Sequence, residues 1–422
     1  MSAEPIGTLV IVGAGMGATM LLTSLVDLAS PPLRLVILDP DPEAPRGEAY
    51  QPGPASRLLN TRARDMGLTA KAADGFTAFA AAAMAAQVEA VATAFLPRAL
   101  YGDFLVTGMT TAMQALSRQG WEIRRHPWRV QEIRPHADHF TVLADGGVID
   151  NAQDVVLAVG AVRRPLLPRA QSPWNIDVDL KDPRPALIAG AGLTGIDASV
   201  DLFERGFAGP IVLASLDGGV PHVQPAAPLP PFALAFPEPL APSNLIARLR
   251  LAARTPQQDW RAVIDALRPH TPRLWAAMPA KRRRAVLSGP RMEMWGRLRH
   301  RLPAQTGTYL QALIASGKAQ TRKMRVTGEE RDAAVIIDAR GFDMCQANHP
   351  LSVQLRRDSV GRPCPTGFGF MPNADMIIGR TNKARLFCLG SALVGAHLET
   401  TAAPEIRAQA EIVAGALCVF KP

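Results

Sequence analysis

The sequence predicts an α/β protein with two Rossmann-like dinucleotide-binding domains and a helical insert, and three observations carry that reading. Two apolar runs end in glycine-rich turns, Thr8-Leu-Val-Ile-Val-Gly13-Ala-Gly15-Met-Gly17-Ala18 and Ala186-Leu-Ile-Ala-Gly190-Ala-Gly192-Leu-Thr-Gly195. Each run reads as a buried parallel strand, and each turn leads into a helix. At 422 residues the chain also exceeds one ordinary core, so two domains are expected. One such motif implies one bound dinucleotide. Two in this order imply a flavin held permanently and a nicotinamide that visits to reduce it.

In the first motif, Gly13 permits a tight turn and Gly15 lets the backbone approach a pyrophosphate. Ala18 is small enough for the helix to pack on the strand. The helix expected over 17–28 aims its N-terminal amides and positive dipole end at the phosphates. A second apolar strand, Leu33-Arg-Leu-Val-Ile-Leu38, ends at Asp39. That carboxylate stands roughly 20 residues beyond the glycines, where an acidic group accepts hydrogen bonds from ribose hydroxyls.

After this strand come a loop with Gly47-Glu-Ala-Tyr50, then Arg57-Leu-Leu-Asn60 and Met66, and a long helical region to about Gly120. The alanine-rich stretch from Phe76 to Phe95 reads as one helix. Short strands at 121–125, 129–134, 140–143 and 148–149 form a small antiparallel excursion carrying His126, His136 and His139. The apolar strand Asp154-Val-Val-Leu-Ala-Val-Gly160 then closes the first unit.

Pro165, Pro168 and Pro173 mark a linker. In the second motif Gly190, Gly192 and Gly195 match the fingerprint fully, and Asp197 onward reads as an amphipathic helix ending near Gly206 or Gly209. The next strand, Pro210-Ile-Val-Leu-Ala214, runs into Ser215-Leu-Asp217. An arginine there would grip the extra phosphate of NADP, whereas a carboxylate repels it. Charge at Asp217 therefore favours NADH over NADPH.

Residues 221–245 are proline-heavy and read as an extended irregular segment. Residues 244–317 look almost wholly helical, with Trp260, Trp275 and Trp295 as packing residues. Strands resume near Gln320, at Ala333–Gly341 and at Arg385-Leu-Phe-Cys-Leu-Gly390-Ser391, before a helix over 404–417. The expected division is 1–165 with 320–422 as one discontinuous domain, and 180–319 as the other.

Nearly half the residues are apolar (48%) and a fifth charged (20%), as in ordinary folded proteins. No apolar run is long enough for a membrane span, and no basic segment precedes the first strand as in a secretory signal. Cys345, Cys364, Cys388 and Cys418 are widely spaced, against a redox dithiol or a metal site. A cytoplasmic location follows. The net charge of +9 is spread along the chain, and its densest cluster, Lys281-Arg-Arg-Arg284, lacks interleaved aromatics. That cluster reads as a solvated or phosphate-facing helix surface. The expected partner is a small-molecule substrate rather than nucleic acid or membrane, and nothing in the sequence sets an oligomeric state.

Several strings resemble a family of bacterial FAD/NAD(P)-binding flavoproteins related to the N-hydroxylating flavin monooxygenases. They include Gly47–Tyr50, Arg57–Asn60 with Met66, Leu96-Pro-Arg-Ala-Leu-Tyr101-Gly102-Asp103-Phe104-Leu105, Trp295 with Arg299-His300-Arg301, and Glu399-Thr400-Thr401-Ala402 with Pro404–Ala410. The resemblance implies an FAD domain interrupted by an NAD(P) domain, with the flavin ring at their junction. It places Gly13, Gly15, Gly17 and Asp39 on the ADP part of FAD. Asn60, Met66, Arg98 and Tyr101 fall along the flavin cleft, and Val130 meets the adenine through its backbone. Gly160 ends the strand that closes the domain, and Gly390, Ser391 and Thr400 belong to the segment covering the ring. Ser215-Leu-Asp217, where relatives carry basic residues, and the break at Gly289-Pro290 are departures.

Flavin enzymes leave redox chemistry to the cofactor, so no nucleophile–base pair is required, and no G-x-S-x-G occurs. His397 and Glu399 bracket the C-terminal turn as candidate acid or base groups. Arg299, His300 and Arg301 are candidates for binding a carboxylate or phosphate, which arginine forks suit. By resemblance, NAD(P)H reduces FAD and oxygen is delivered to a nucleophilic small molecule. The alternatives are an NADH-dependent flavin reductase or dehydrogenase, and a non-catalytic flavin-binding partner protein.

Overall fold

A computed structural model of the chain describes residues 7–29, 31–41, 44–232, 254 and 259–419. β1 (Thr8–Val12) is wholly buried and leads through Gly13 into α1 (Met16–Asp27). β2 (Arg34–Leu38) then pairs with β1 in parallel. The expected helix at 76–95 is two, α2 (Gly75–Met84) and α3 (Val88–Ala92), because Ala85 takes a left-handed conformation with φ 48° and stops the first. The long α4 (Arg98–Arg118) follows.

β3 (Glu122–His126) is not part of an antiparallel excursion, as expected, but extends the main sheet parallel to β2. The excursion consists of β4 (Val130–Pro135), β5 (Phe140–Ala144) and the start of β6 (Gly147–Leu157). The two short runs read at 148–149 and 154–160 belong to this one strand. Its last half slots beside β1 as a central parallel strand.

The second sheet begins with β7 (Ala170–Gln171), then β8 (Ala186–Ala189), α5 (Leu193–Glu204) and β9 (Ile211–Ser215). A series of short helices follows: α6 (Trp260–Ala266), α7 (Thr271–Ala276), α8 (Ala280–Leu287), α9 (Pro290–Arg299) and α10 (Ala304–Ala315). Most of the expected proline-rich segment, and the start of the helical run, lie outside the described residues. Gly289-Pro290 breaks α8 from α9, since proline suits a first helical position and cannot continue a helix.

β10 (Ala319–Lys323) and β11 (Val335–Asp338) join this second sheet, in the order β10-β9-β8-β11-β7. The return to the first sheet therefore comes after β11 rather than at 320, and β7 enters the second sheet before 180. Strand partners more than a hundred residues apart decide this, so local patterning places the boundary too early. Alternate residues of β8, β9 and β11 face two separate apolar clusters, one with Ala186, Ile188, Ile211 and Leu213, the other with Leu187, Ala189, Val212 and Ala214. A parallel sheet covered on both faces reads as a continuous apolar run for this reason.

The chain then forms α11 (Pro350–Arg357), β12 (Ile377–Arg380), β13 (Arg385–Cys388), the short α12 (Val394–His397) and α13 (Ala403–Cys418). β13 pairs in parallel with β6, giving the order β12-β13-β6-β1-β2-β3. α13 packs along α1 against the main core. A small apolar cluster of Trp275, Leu287, Phe368 and Val394 fixes the short helices to the C-terminal segment. Among the described residues no helix is long and apolar enough to cross a membrane.

Candidate functional site

Both sheets end in the same cradle. In the first, Gly13 has φ 98°, and a β-carbon there would stand 2.4 Å from the Ala158 carbonyl oxygen at the end of β6. Two residues on, Gly160 has φ 71° and open space beside it. In the second, Gly190 has φ 117°, and its β-carbon would stand 2.3 Å from the Ala339 carbonyl oxygen at the end of β11. Gly341, again two residues on, has φ 85° and open space. In each sheet these neighbouring strand ends flank the point where strand order reverses, which is where open α/β sheets bind ligands.

The second glycine of each motif is different. Gly15, the N-cap of α1, would place a β-carbon no nearer than 3.8 Å to any atom outside its own chain neighbours, and Gly192, the N-cap of α5, within 4 Å of none. No described part of the protein demands glycine at either. Neither helix has a side-chain cap at its start, so the N-terminal amides are available to an anion. Gly195 serves packing, since its β-carbon would lie 2.0 Å from the Gly190 carbonyl oxygen. A β-carbon at Gly17 would meet Ile406 at 3.5 Å and Leu389 at 3.8 Å, which is ordinary packing.

Asp39 ends β2 with one carboxylate oxygen accepting from Ala14 N–H at 2.7 Å and the other from Asp41 N–H at 2.9 Å. These bonds fix its orientation across the turn, and each oxygen keeps a lone pair. Val130 opens β4, buried against the main core. Gly390 (φ 77°) ends β13, its N–H held by Gln409 at 2.8 Å, and Ser391 donates to the Gly160 carbonyl at 2.5 Å. That bond ties the β6 and β13 strand ends together.

Other expected cleft residues are placed elsewhere. Tyr101 is fully buried, its hydroxyl directed at the Met16 sulfur 3.5 Å away. Burial, with Tyr50 beside it, raises the Tyr101 phenol well above its ordinary pKa. Met66 is likewise a core residue. Both sequence positions lie close to the motif but face inward, where aromatic and sulfur packing claims them. Arg98 is committed to Asp197 of α5 at 3.2 Å, beside a second pair of Arg57 with Asp201 at 3.3 Å. These pairs dock α5 onto the first unit. Asn60 is half-buried and forms no side-chain hydrogen bond with the described residues.

Three of the polar candidates converge. The Glu399 carboxylate accepts from Trp295 Nε1 at 2.7 Å, with Arg299 Nε and His300 Nε2 each 3.9 Å from its other oxygen. Glu405 holds Arg268 through two bonds of 2.5 and 2.7 Å and meets Arg299 at 3.4 Å. Burial lowers the pKa of Arg299 and His300, against the opposing pull of Glu399. Two arginines thus face two carboxylates, and the group is internally neutral. Its geometry anchors α9 to the C-terminal turn.

His397 lies apart, beside Arg283 rather than in this network. Among the described residues its Nε2, the Thr400 hydroxyl and Arg283 Nε are buried without a hydrogen-bond partner. Arg283 was hidden within Lys281–Arg284, where Lys281, Arg282 and Arg284 are exposed and Arg283 is not. Its spacing of four from the buried Leu287 was the available signal.

After the second motif, Asp217 is bound by Arg297 of α9 at 2.5 Å. Arg322 and Lys323 of β10 lie in register with Ala214 and Ser215 of β9. The basic residues missing from the local sequence arrive from a neighbouring strand and helix.

Residues 10–162 match the family model described as FAD-NAD(P)-binding. No curated protein matches the sequence significantly. Among solved structures, the chain is similar to an ornithine hydroxylase from Pseudomonas aeruginosa, with 13% identity, a TM-score of 0.62, and 98% of this chain and 99% of that one covered. It is also similar to an ornithine N-hydroxylase from Kutzneria sp. 744, with 13% identity, a TM-score of 0.63 and the same coverage. A cadaverine monooxygenase from Erwinia amylovora, with FAD bound, matches with 13% identity and a TM-score of 0.61 over 97% of this chain and 94% of that one. Over residues 10–162 the chain is thus similar to an FAD-NAD(P)-binding family model, and its two-sheet fold is similar to that of these hydroxylases.

Proposed function

We propose that the chain is an FAD-dependent oxidoreductase that draws electrons from NAD(P)H and oxygenates a small molecule. The repeated cradle carries this reading: Gly15 and Gly192 are glycines with no protein neighbour that requires them, each at the start of an uncapped helix. The residues present fit a dinucleotide at each. At the first, the α1 amides face a pyrophosphate and Asp39 retains lone pairs for ribose hydroxyls. Gly160 and Gly390, with positive φ, keep side chains off the adjacent strand ends. At the second, the start of α5 takes the visiting dinucleotide.

FAD, when bound, accepts a hydride from a nicotinamide and passes electrons to oxygen. This chain's own residues bind, orient and enclose. Trp295 and Glu399 fix the turn that follows β13, and the Arg98–Asp197 and Arg57–Asp201 pairs hold α5 in place. Oxygenation rather than simple reduction is supported by the full-length likeness to hydroxylases of ornithine and cadaverine. The preference for NADH expected from Asp217 loses its physical basis, because Arg297 neutralises that carboxylate. Arg322 and Lys323 add positive charge nearby, so NADPH is the better electrostatic fit.

The test is the visible spectrum of the purified protein, followed anaerobically as NADPH and then NADH are added. Bleaching of a flavin band by NADPH supports the proposal. A flavin band that neither nucleotide bleaches would overturn it in favour of a flavin-binding partner protein.

A further inference from the structure

Three arginines are buried among the described residues: Arg283, Arg299 and Arg301. Arg301 meets Asp265 at 2.6 Å, and Arg299 faces Glu405 and Glu399. Arg283 is 7% exposed, and among the described residues no carboxylate pairs with it. Among the described residues it makes one hydrogen bond, a long one of 3.3 Å from Nη1 to the Gly395 carbonyl, and its Nε is buried with no partner there. A guanidinium carries five donors and keeps its charge, so burial without an anion is costly. Such a group persists where an anion is supplied from outside the chain.

The surroundings agree. Arg283 lies on α8, against the α12 turn that follows Gly390. His397 and Thr400 on that segment also present buried polar atoms with no partner among the described residues. Burial, with the charge of Arg283, holds the His397 imidazole below its ordinary pKa. It therefore acts beside the arginine as a neutral hydrogen-bonding group. The packed cluster of Trp275, Leu287, Phe368 and Val394 keeps this region apolar, and Trp275 Nε1 shares the Gly395 carbonyl at 3.1 Å.

We propose that Arg283 is the anchor for an anionic group, carboxylate or phosphate, on the small-molecule substrate, with His397 as its neutral neighbour. This assignment rests on reading the chain as a small-molecule oxidoreductase.

The test uses the FAD-loaded protein, melted in acetate, in inorganic phosphate and in chloride at equal ionic strength. Acetate or phosphate near ten times its dissociation constant should raise Tm by roughly 2–4 °C over chloride. A larger shift in acetate indicates a carboxylate substrate, and a larger one in phosphate a phosphorylated substrate. R283Q should lose the shift, and R283K should keep only part of it, because lysine retains charge but not the fork. Equal shifts in wild type and R283Q, or none in wild type, overturn the proposal. So does an R283Q protein that fails to fold or melts well below wild type in chloride, since that marks a structural role. Flavin bleaching by NADPH is scored separately in wild type. Bleaching without an anion response removes the anchor and leaves the oxidoreductase, and an anion response without bleaching does the reverse.

Discussion

A β-carbon at position 13 meets the Ala158 carbonyl oxygen at 2.4 Å, while one at position 15 has nothing nearer than Ala44 O at 3.8 Å. The two glycines therefore answer to different demands, and substitution separates them. Gly13→Ala combines a clash with a left-handed φ and should cost about 3 kcal/mol or more, read as a large fall in Tm. Gly15→Ala keeps an accessible φ of −80° and should melt within about 2 °C of wild type when both lack cofactor. Its effect should appear in FAD affinity, weakened about tenfold or more, which is about 1.4 kcal/mol of lost approach. Equal FAD affinity in Gly15→Ala and wild type would show that no phosphate lies against this backbone. Gly192→Ala should likewise spare FAD and stability but raise the nicotinamide concentration needed for bleaching. These glycines were legible from spacing alone. Tyr101 and Met66 were not, since nothing local distinguishes a residue lining a cleft from one facing the core two positions away.

Between elements, a few ion pairs decide how the short helices sit. Arg268 reaches Glu405 on α13 with two bonds, and Trp295 on α9 reaches Glu399. Burial raises the cost of ionising Glu405, but the Arg268 bonds and the charges of Arg268 and Arg299 more than offset it, leaving its pKa below the ordinary value. Glu405→Gln would leave two arginines without their shared carboxylate. Breaking a buried pair costs about 3 kcal/mol, so unfolding in urea should shift to a clearly lower midpoint. A midpoint unchanged within error would mean the pair is dispensable for docking. Strings containing Arg299 and Glu405 stood out in the sequence, but their pairing joins residues more than a hundred positions apart. A separation of 80 positions likewise hid Arg297 from Asp217, and with it the balance of charge at the second cradle.

Across the molecule, burial holds His300, His349 and His397 below the ordinary imidazole pKa of 6.5. The folded protein keeps them neutral, whereas the unfolded chain takes up protons as pH falls through 6.5. Their contribution to stability is complete above that pH and is lost below it, by up to about 1.4 kcal/mol per pH unit for each group. Glu405, depressed below 4.5, adds a further loss at lower pH. Tm should therefore fall between pH 7 and pH 5, and His397→Gln should make that fall shallower. A flat profile over this range would show that the imidazoles are as free to protonate in the folded state as in the unfolded one.

By itself the sequence determined the two strand–turn–helix cradles, their order, and the carboxylate at the end of β2, because these depend on contacts within about thirty residues. Apolar runs, positive-φ glycines and helix starts are local physics. Only the tertiary structure decided which sheet received β10 and β11, which arginines met carboxylates, and that Arg283 met none among the described residues. Parallel strands pair across long crossovers, and a buried charge is settled by whichever partner the whole fold brings near it.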